Sequence, residues 1–132
     1  MIVADASAIL DLGLRSEPKG SWVEEQTLSG ETMHAPHLVD VEVANGLRRL
    51  LRSGRISEQR ARKVIALLHD LEIERYPHLQ LLERIWQLAA GLSAYDASYV
   101  ALAEALDAPL VTTDAALARS SGHRAEIICF AD

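Results

Sequence analysis

The fold is decided by the stretch MIVADASA at residues 1–8, in which a short apolar run ends at an acid. Its first four residues are apolar and include two β-branched side chains, which is the pattern of a short buried strand. Asp5 follows this strand directly, and the apolar residues that continue to about Leu14 predict a helix. The chain therefore opens with a strand, an acid and a helix, which together form the first unit of an α/β fold.

The rest of the chain repeats this alternation of strands and helices. Further strands are predicted at residues 32–35, 71–76, 110–112 and 126–130. Helices are predicted at residues 22–28 with Ser21 as the cap, at 38–52, after Ser57 as the cap with a basic and apolar face at 60–68, at 78–90, from Ser93 to 106, and briefly after Asp114. Such alternation predicts a parallel sheet with helices on both faces.

Length and composition restrict the class of protein. A chain of 132 residues, 49% of them hydrophobic, fits one domain spanning residues 1–132. The single cysteine, Cys129, allows no internal disulfide, so a reducing cytosol is the expected setting. The first residues lack the basic region of a signal peptide, and no apolar run approaches the ~18–20 residues of a membrane span. We therefore expect a soluble, cytoplasmic protein with no membrane association.

The charge of the protein is unevenly distributed. The formal net charge of -6 disfavours non-specific coating of nucleic acid. However, seven of the thirteen Lys and Arg residues fall between positions 48 and 63: Arg48, Arg49, Arg52, Arg55, Arg60, Arg62 and Lys63. The arginines at 48, 49, 52 and 55 are candidates for contacts with an RNA backbone or with a partner protein, and a solvated helix face is the alternative.

Four acids occupy positions that an α/β fold brings together. Asp5 and Asp114 follow predicted strands, whereas Glu42 and Asp96 lie in the first turns of predicted helices. The carboxyl ends of parallel strands and the helix N-termini meet at one edge of the sheet, so the four carboxylates can converge there. Taken singly, each acid could instead cap a helix or favour its positive end.

Converging carboxylates call for a cation. At about 4 Å and an effective dielectric constant near 20, each like-charged pair costs on the order of 4 kcal/mol. Oxygen ligands suit Mg²⁺ or Mn²⁺ rather than zinc, and a cation held in this way serves phosphodiester hydrolysis. Ser7, Asn45 and Thr112 are the supporting polar residues, and Asn45 shares a helix face with Glu42.

The same residues resemble a known family. The stretches DASA (5–8), PHLVDVEVAN (36–45), YDASYVALA (95–103) and LVTTD (110–114) look like the PIN domain, and more narrowly like VapC toxins of bacterial toxin–antitoxin pairs. The resemblance implies an α/β/α sandwich with a central, mostly parallel sheet, usually dimeric, that cleaves RNA with Mg²⁺ or Mn²⁺. It places the four acids of the family on Asp5, Glu42, Asp96 and Asp114 as metal-binding catalytic residues, with Ser7, Asn45 and Thr112 as the helper positions.

The resemblance also implies a partner. A small VapB-like antitoxin would block the acidic groove and carry the DNA-binding element. Some relatives place another acid shortly after the last of the four, and here residues 115–118 read AALA and offer none.

Three other functions compete with the nuclease. A receiver domain needs two adjacent acids after the first strand and a lysine after the last strand, whereas here Asp5 stands alone and the lysines are Lys19 and Lys63. A phosphatase of the haloacid-dehalogenase type needs an Asp two residues after Asp5, where this chain has Ser7. The third is a PIN-like scaffold that binds RNA or protein without catalysis, and an assay for metal-dependent cutting separates it from the nuclease.

Overall fold

The computed structural model describes residues 1–27 and 30–132. The strands are β1 Ile2–Ala4, β2 Met33–Pro36, β3 Ile73–Tyr76, β4 Leu110–Thr112 and β5 Ile127–Cys129. The helices are α1 Ala6–Leu14, α2 Lys19–Thr27, α3 Leu38–Arg52, α4 Glu58–Asp70, α5 Leu82–Leu88, α6 Ala94–Leu106 and α7 Ala115–Ala118.

The five strands form one parallel sheet in the order β3-β2-β1-β4-β5. The chain moves outward from β1 to β3 in one direction and from β4 to β5 in the other. The direction of winding therefore changes between β1 and β4, and ligands of open α/β sheets bind at such a point. Helices α1 to α4 pack together as one group, and α5 packs on α6 as another. This is the α/β/α arrangement expected from the sequence.

The core is built around β1 and α6. All three residues of β1 are buried, and so is every residue of α6 from Ala97 to Ala103. Alanine and serine in this part of α6 allow it to approach the sheet closely while Val100 and Leu102 fill the space between. No helix in the described ranges has both the length and the apolar character that crossing a bilayer requires.

Two predicted helices differ from those observed. α2 begins at Lys19, and Ser21 lies inside it and donates a hydrogen bond to Glu17 instead of capping. The helix starts early because Gly20 N–H already donates to the carbonyl of Ser16 at 2.6 Å, so the turn before Ser21 has helical hydrogen bonding. The predicted end at residue 28 lies outside the described residues.

The helix predicted at residues 78–90 is also shorter. A 3₁₀ turn at Leu79–Leu81 comes first, and α5 covers only Leu82–Leu88. In the 3₁₀ turn the N–H of Leu81 donates to the carbonyl of His78, which is an i to i+3 bond. By contrast, the caps at Ser57 and Ser93 are confirmed, since each hydroxyl accepts the expected backbone N–H at 3.1 Å.

Candidate active site

A cavity of about 230 Å³ opens beside the point where β1 and β4 meet. All four predicted acids line it. The residues of its wall that carry polar groups are Asp5, Ser7, Glu42, Asn45, Arg49, Asp96, Tyr99 and Asp114. Asp5 and Asp114 arrive from the ends of two neighbouring strands, Glu42 from α3 and Asp96 from the first turn of α6. The sheet order therefore brings together carboxylates from four distant parts of the chain.

Asp5 is the most buried of these acids, with 5% of its surface exposed. Its Oδ1 accepts hydrogen bonds from Ser7 Oγ at 2.7 Å and from the backbone N–H of Ala8 at 2.9 Å, and its Oδ2 accepts one from Thr112 Oγ1. Burial raises the pKa of Asp5 to about 6, although the three hydrogen bonds act in the opposite direction. Asp5 therefore caps α1, and it also brings to the cavity wall a carboxylate whose ionised form is disfavoured by burial.

Thr112 and Ser7 hold Asp5 and Asp114 in fixed relation. The hydroxyl of Thr112 donates to Asp5 and accepts the backbone N–H of Asp114 at 3.0 Å. Ser7 Oγ lies 3.2 Å from Thr112 Oγ1 and accepts the backbone N–H of Thr113 at 3.3 Å. The carboxylate of Asp114 accepts the N–H of Ala116 at 2.9 Å, so it also caps α7. Asp5 and Asp114 therefore both cap helices, as the alternative interpretation predicted, and both also line the cavity.

Asp96 and Glu42 complete the group from the helices. The backbone N–H of Asp96 donates to Ser93, which leaves the Asp96 carboxylate available to the cavity. Burial raises the pKa of Asp96, and the charge of Asp114 raises it further. Burial and the charge of Asp96 likewise raise the pKa of Glu42, against a hydrogen bond from Tyr99 at 2.6 Å that lowers it.

The donor set fits a hard divalent cation. Within residues 1–27 and 30–132, no three His, Cys, Asp or Glu side chains form a ready-made cation site. Mg²⁺ normally takes one or two carboxylates directly and keeps several waters, so it does not require such a closed group. Burial, and to a smaller extent the charge of a neighbouring acid, raises the pKa of Asp5, Glu42 and Asp96, so their ionised forms are unfavourable without a counter-charge. A hydrated Mg²⁺ or Mn²⁺ would supply it.

The four arginines singled out in the sequence lie in different parts of the structure. Arg49 lines the cavity with the acids, whereas Arg48 lines a neighbouring groove between α3 and α4. Arg52 and Arg55 are exposed, and neither lines the cavity. Of these four arginines, Arg49 is therefore the one placed to reach a group bound among the carboxylates.

Tyr99 was missed by the sequence reasoning. It is 1% exposed and lines the cavity, and its hydroxyl donates to Glu42. The signal was present, because Tyr99 lies three residues after Asp96 and therefore on the same face of a helix. Its partner on α3 could not be read from that spacing.

Comparison with known proteins identifies the family. The PIN domain model matches residues 2–122. Ribonuclease VapC9 of Mycobacterium tuberculosis is 48% identical over 114 residues, which are 86% of each chain. Among solved structures, M. tuberculosis VapC20, described as a sarcin-ricin loop cleaving toxin, superposes with a TM-score of 0.72 at 17% identity, covering 94% of this chain and 97% of that one. VapBC2 from Rickettsia felis, bound to a DNA fragment from its promoter, matches with a TM-score of 0.59 at 15% identity, covering 98% of each chain. With a family match over nearly its whole length and a close relative at this identity, the chain belongs to the PIN-domain family, among the VapC ribonucleases.

Proposed function

We propose that this protein is a metal-dependent endoribonuclease toxin that hydrolyses RNA phosphodiester bonds with Mg²⁺ or Mn²⁺. The observation that carries the proposal is the convergence of Asp5, Glu42, Asp96 and Asp114 on one cavity at the switch point of the sheet. The ribonuclease names of its relatives at 44–48% identity support the choice of RNA as substrate.

We assign the four acids different roles in metal binding according to their positions. Asp5, Asp96 and Asp114 would hold the cation, and Glu42 would hold a second cation or orient the attacking water. When bound, Mg²⁺ or Mn²⁺ lowers the pKa of a coordinated water and neutralises charge on the phosphate. Ser7 and Thr112 keep two carboxylates in place by the hydrogen bonds described above, and Asn45, on the cavity wall, is placed to position a phosphate or a water.

A cleavage assay tests this function. Purified protein is incubated with total RNA and Mn²⁺ or Mg²⁺, beside EDTA and an Asp5→Asn variant. We expect discrete fragments that depend on the metal and fall at least about a hundredfold in the variant, because a charged cation ligand is lost. Asp107→Asn is the matched control, since Asp107 is exposed at the end of α6 and its left-handed conformation suits Asn. Full cleavage by Asp5→Asn would refute the four-acid site, and no cleavage with either metal would favour a non-catalytic scaffold.

Arg49 is the arginine that we propose to contact the RNA backbone at the cavity. Arg49→Gln should weaken RNA binding and reduce the slope of log affinity against log salt by about 0.7, the value for one phosphate contact on a single strand. Arg55→Gln, at an exposed site away from the cavity, is the control. An equal loss in both variants would indicate a diffuse basic surface instead of a specific contact.

We also propose that a small VapB-like antitoxin binds and neutralises this protein. The VapBC2 complex of R. felis, which shares the fold, supports this proposal. Co-expression with a candidate VapB-like antitoxin should yield a complex that cleaves no RNA. A complex that retains full cleavage would refute neutralisation.

A homodimer is the third proposal about partners. Large apolar side chains are exposed on and beside α5: Leu79, Leu82, Trp86 and Tyr95, with Trp86 at 78%, and Leu82 and Trp86 line one surface groove. The exposure of Trp86 excludes core packing and supports a contact between subunits. Because burying such a patch is favourable, light scattering should give twice the mass of the chain, and Trp86→Glu should give a monomer. A monomeric wild type at micromolar concentration would contradict the dimer.

A further inference from the structure

We infer that Tyr99 is a positioning residue that holds Glu42 at the cavity wall for metal binding, which rests on the function proposed above. Tyr99 lies on α6 and Glu42 on α3, and the bond between the phenol oxygen and Glu42 Oε1 is 2.6 Å long. The two helices supply different acids of the site, so this bond connects the Asp96 side of the cavity to the Glu42 side.

Burial makes the partnership specific. Tyr99 is 1% exposed, so its hydroxyl has little access to water although the residue lines the cavity. Within the described residues, Glu42 is the one side chain with which that hydroxyl forms a hydrogen bond. If Glu42 turned away, a buried hydroxyl would be left without a partner, which is unfavourable. The phenol thus restrains one carboxylate oxygen and leaves Oε2 to a cation or to a coordinated water.

A competing attraction shows why the restraint is needed. Arg49 lies seven residues after Glu42, which is two turns along the same face of α3, and it lines the same cavity. The positive charge of Arg49 attracts Glu42, while the negative charge of Asp96 repels it. A glutamate has three side-chain torsions, so without the phenol these forces would draw Glu42 toward Arg49 and away from Asp96.

Tyr99→Phe tests this role, because it removes the hydroxyl and keeps the ring that fills the core. Tyr76→Phe is the matched control, since the phenol of Tyr76 forms a bond of the same length, 2.6 Å, to His34 on the sheet away from the cavity. Mn²⁺ binding is measured by calorimetry without RNA, and urea unfolding is measured in EDTA. We expect Tyr99→Phe to bind Mn²⁺ about tenfold more weakly and Tyr76→Phe to bind it as the wild type does.

A double-mutant cycle then shows whether Tyr99 acts through Glu42. In a Glu42→Ala background, Tyr99→Phe should change Mn²⁺ affinity by less than about twofold, because the group it holds is absent. A tenfold loss that persists in this background, or unchanged Mn²⁺ affinity with lowered stability in urea, would overturn the inference. If the wild type binds no Mn²⁺, the proposed metal-dependent function fails together with the inference. If the wild type and the Tyr99→Phe variant bind Mn²⁺ equally, the inference about Tyr99 fails and the proposed function stands.

Discussion

Asp5→Asn should make the metal-free protein more stable at neutral pH, although it abolishes the proposed activity. In the folded protein the pKa of Asp5 is raised from 3.8 to about 6 by burial. The folded state therefore holds this proton more tightly than the unfolded state, and its stability falls as the pH rises from about 4 to about 6. Above pH 6 the protein carries the full cost of the buried charge.

The size of the effect follows from the pKa shift. Raising the pKa from 3.8 to about 6 corresponds to about 3 kcal/mol, since a tenfold change in an equilibrium constant is about 1.36 kcal/mol. Asn is close in shape to the protonated acid. Its carbonyl can accept from Ser7 and Ala8, and its amide can donate to Thr112 Oγ1, whose hydrogen can turn toward Ser7 Oγ, 3.2 Å away. We therefore expect Asp5→Asn to gain about 2–3 kcal/mol at pH 7.5, which for a chain of this size raises Tm by roughly 10 °C.

Urea unfolding in EDTA between pH 4 and pH 8 measures this gain. The gain should be near zero at pH 4 and reach its full value above pH 6, while Asp107→Asn changes stability by less than about 0.5 kcal/mol throughout. Adding Mn²⁺ should stabilise the wild type more than the variant, because only the wild type keeps the ligand. A variant that is less stable than the wild type at pH 7.5, or a gain that does not depend on pH, would refute the reasoning.

Three further predictions concern charge and packing. Asp96→Asn should melt no lower than the wild type in EDTA, because burial and the charge of Asp114 disfavour the ionised Asp96 carboxylate more than Ser93 favours it; a clear drop in Tm would restore a capping role. Arg84→Leu should lower the stability of the protein at pH 7, since Arg84 forms two bonds to Glu104, whose side chain is 1% exposed and whose pKa is lowered to about 2 mainly by that arginine. That contribution is present above pH 4.5 and is lost as the pH falls toward 2, so a loss of equal size at pH 2 in urea would contradict it. Gly20→Ala should destabilise by about 2 kcal/mol, because its Cβ would lie 2.8 Å from a backbone oxygen of α1, whereas a Cβ at Gly91 meets nothing within 4 Å and Gly91→Ala should be nearly neutral in the same unfolding measurement.

The local parts of this protein were determined by the sequence alone. The apolar run before Asp5, the period of α3 and the serines before α4 and α6 act within a few residues, where propensity and capping decide the structure. An acid after a strand and an acid in the first turn of a helix are likewise local facts. Because the order of elements predicts a parallel α/β sheet, these acids could be expected at one edge of it.

The tertiary structure decided which side chains meet across elements. Spacing along α6 puts Tyr99 on the face of Asp96, but only the packing of α6 against α3 brings it to Glu42. Similarly, Arg49 reaches the cavity while Arg48, one residue before it, lines a different groove. A helix turns by about 100° per residue, so neighbours in the sequence face different surroundings, and which one faces the site depends on how the helices dock on the sheet.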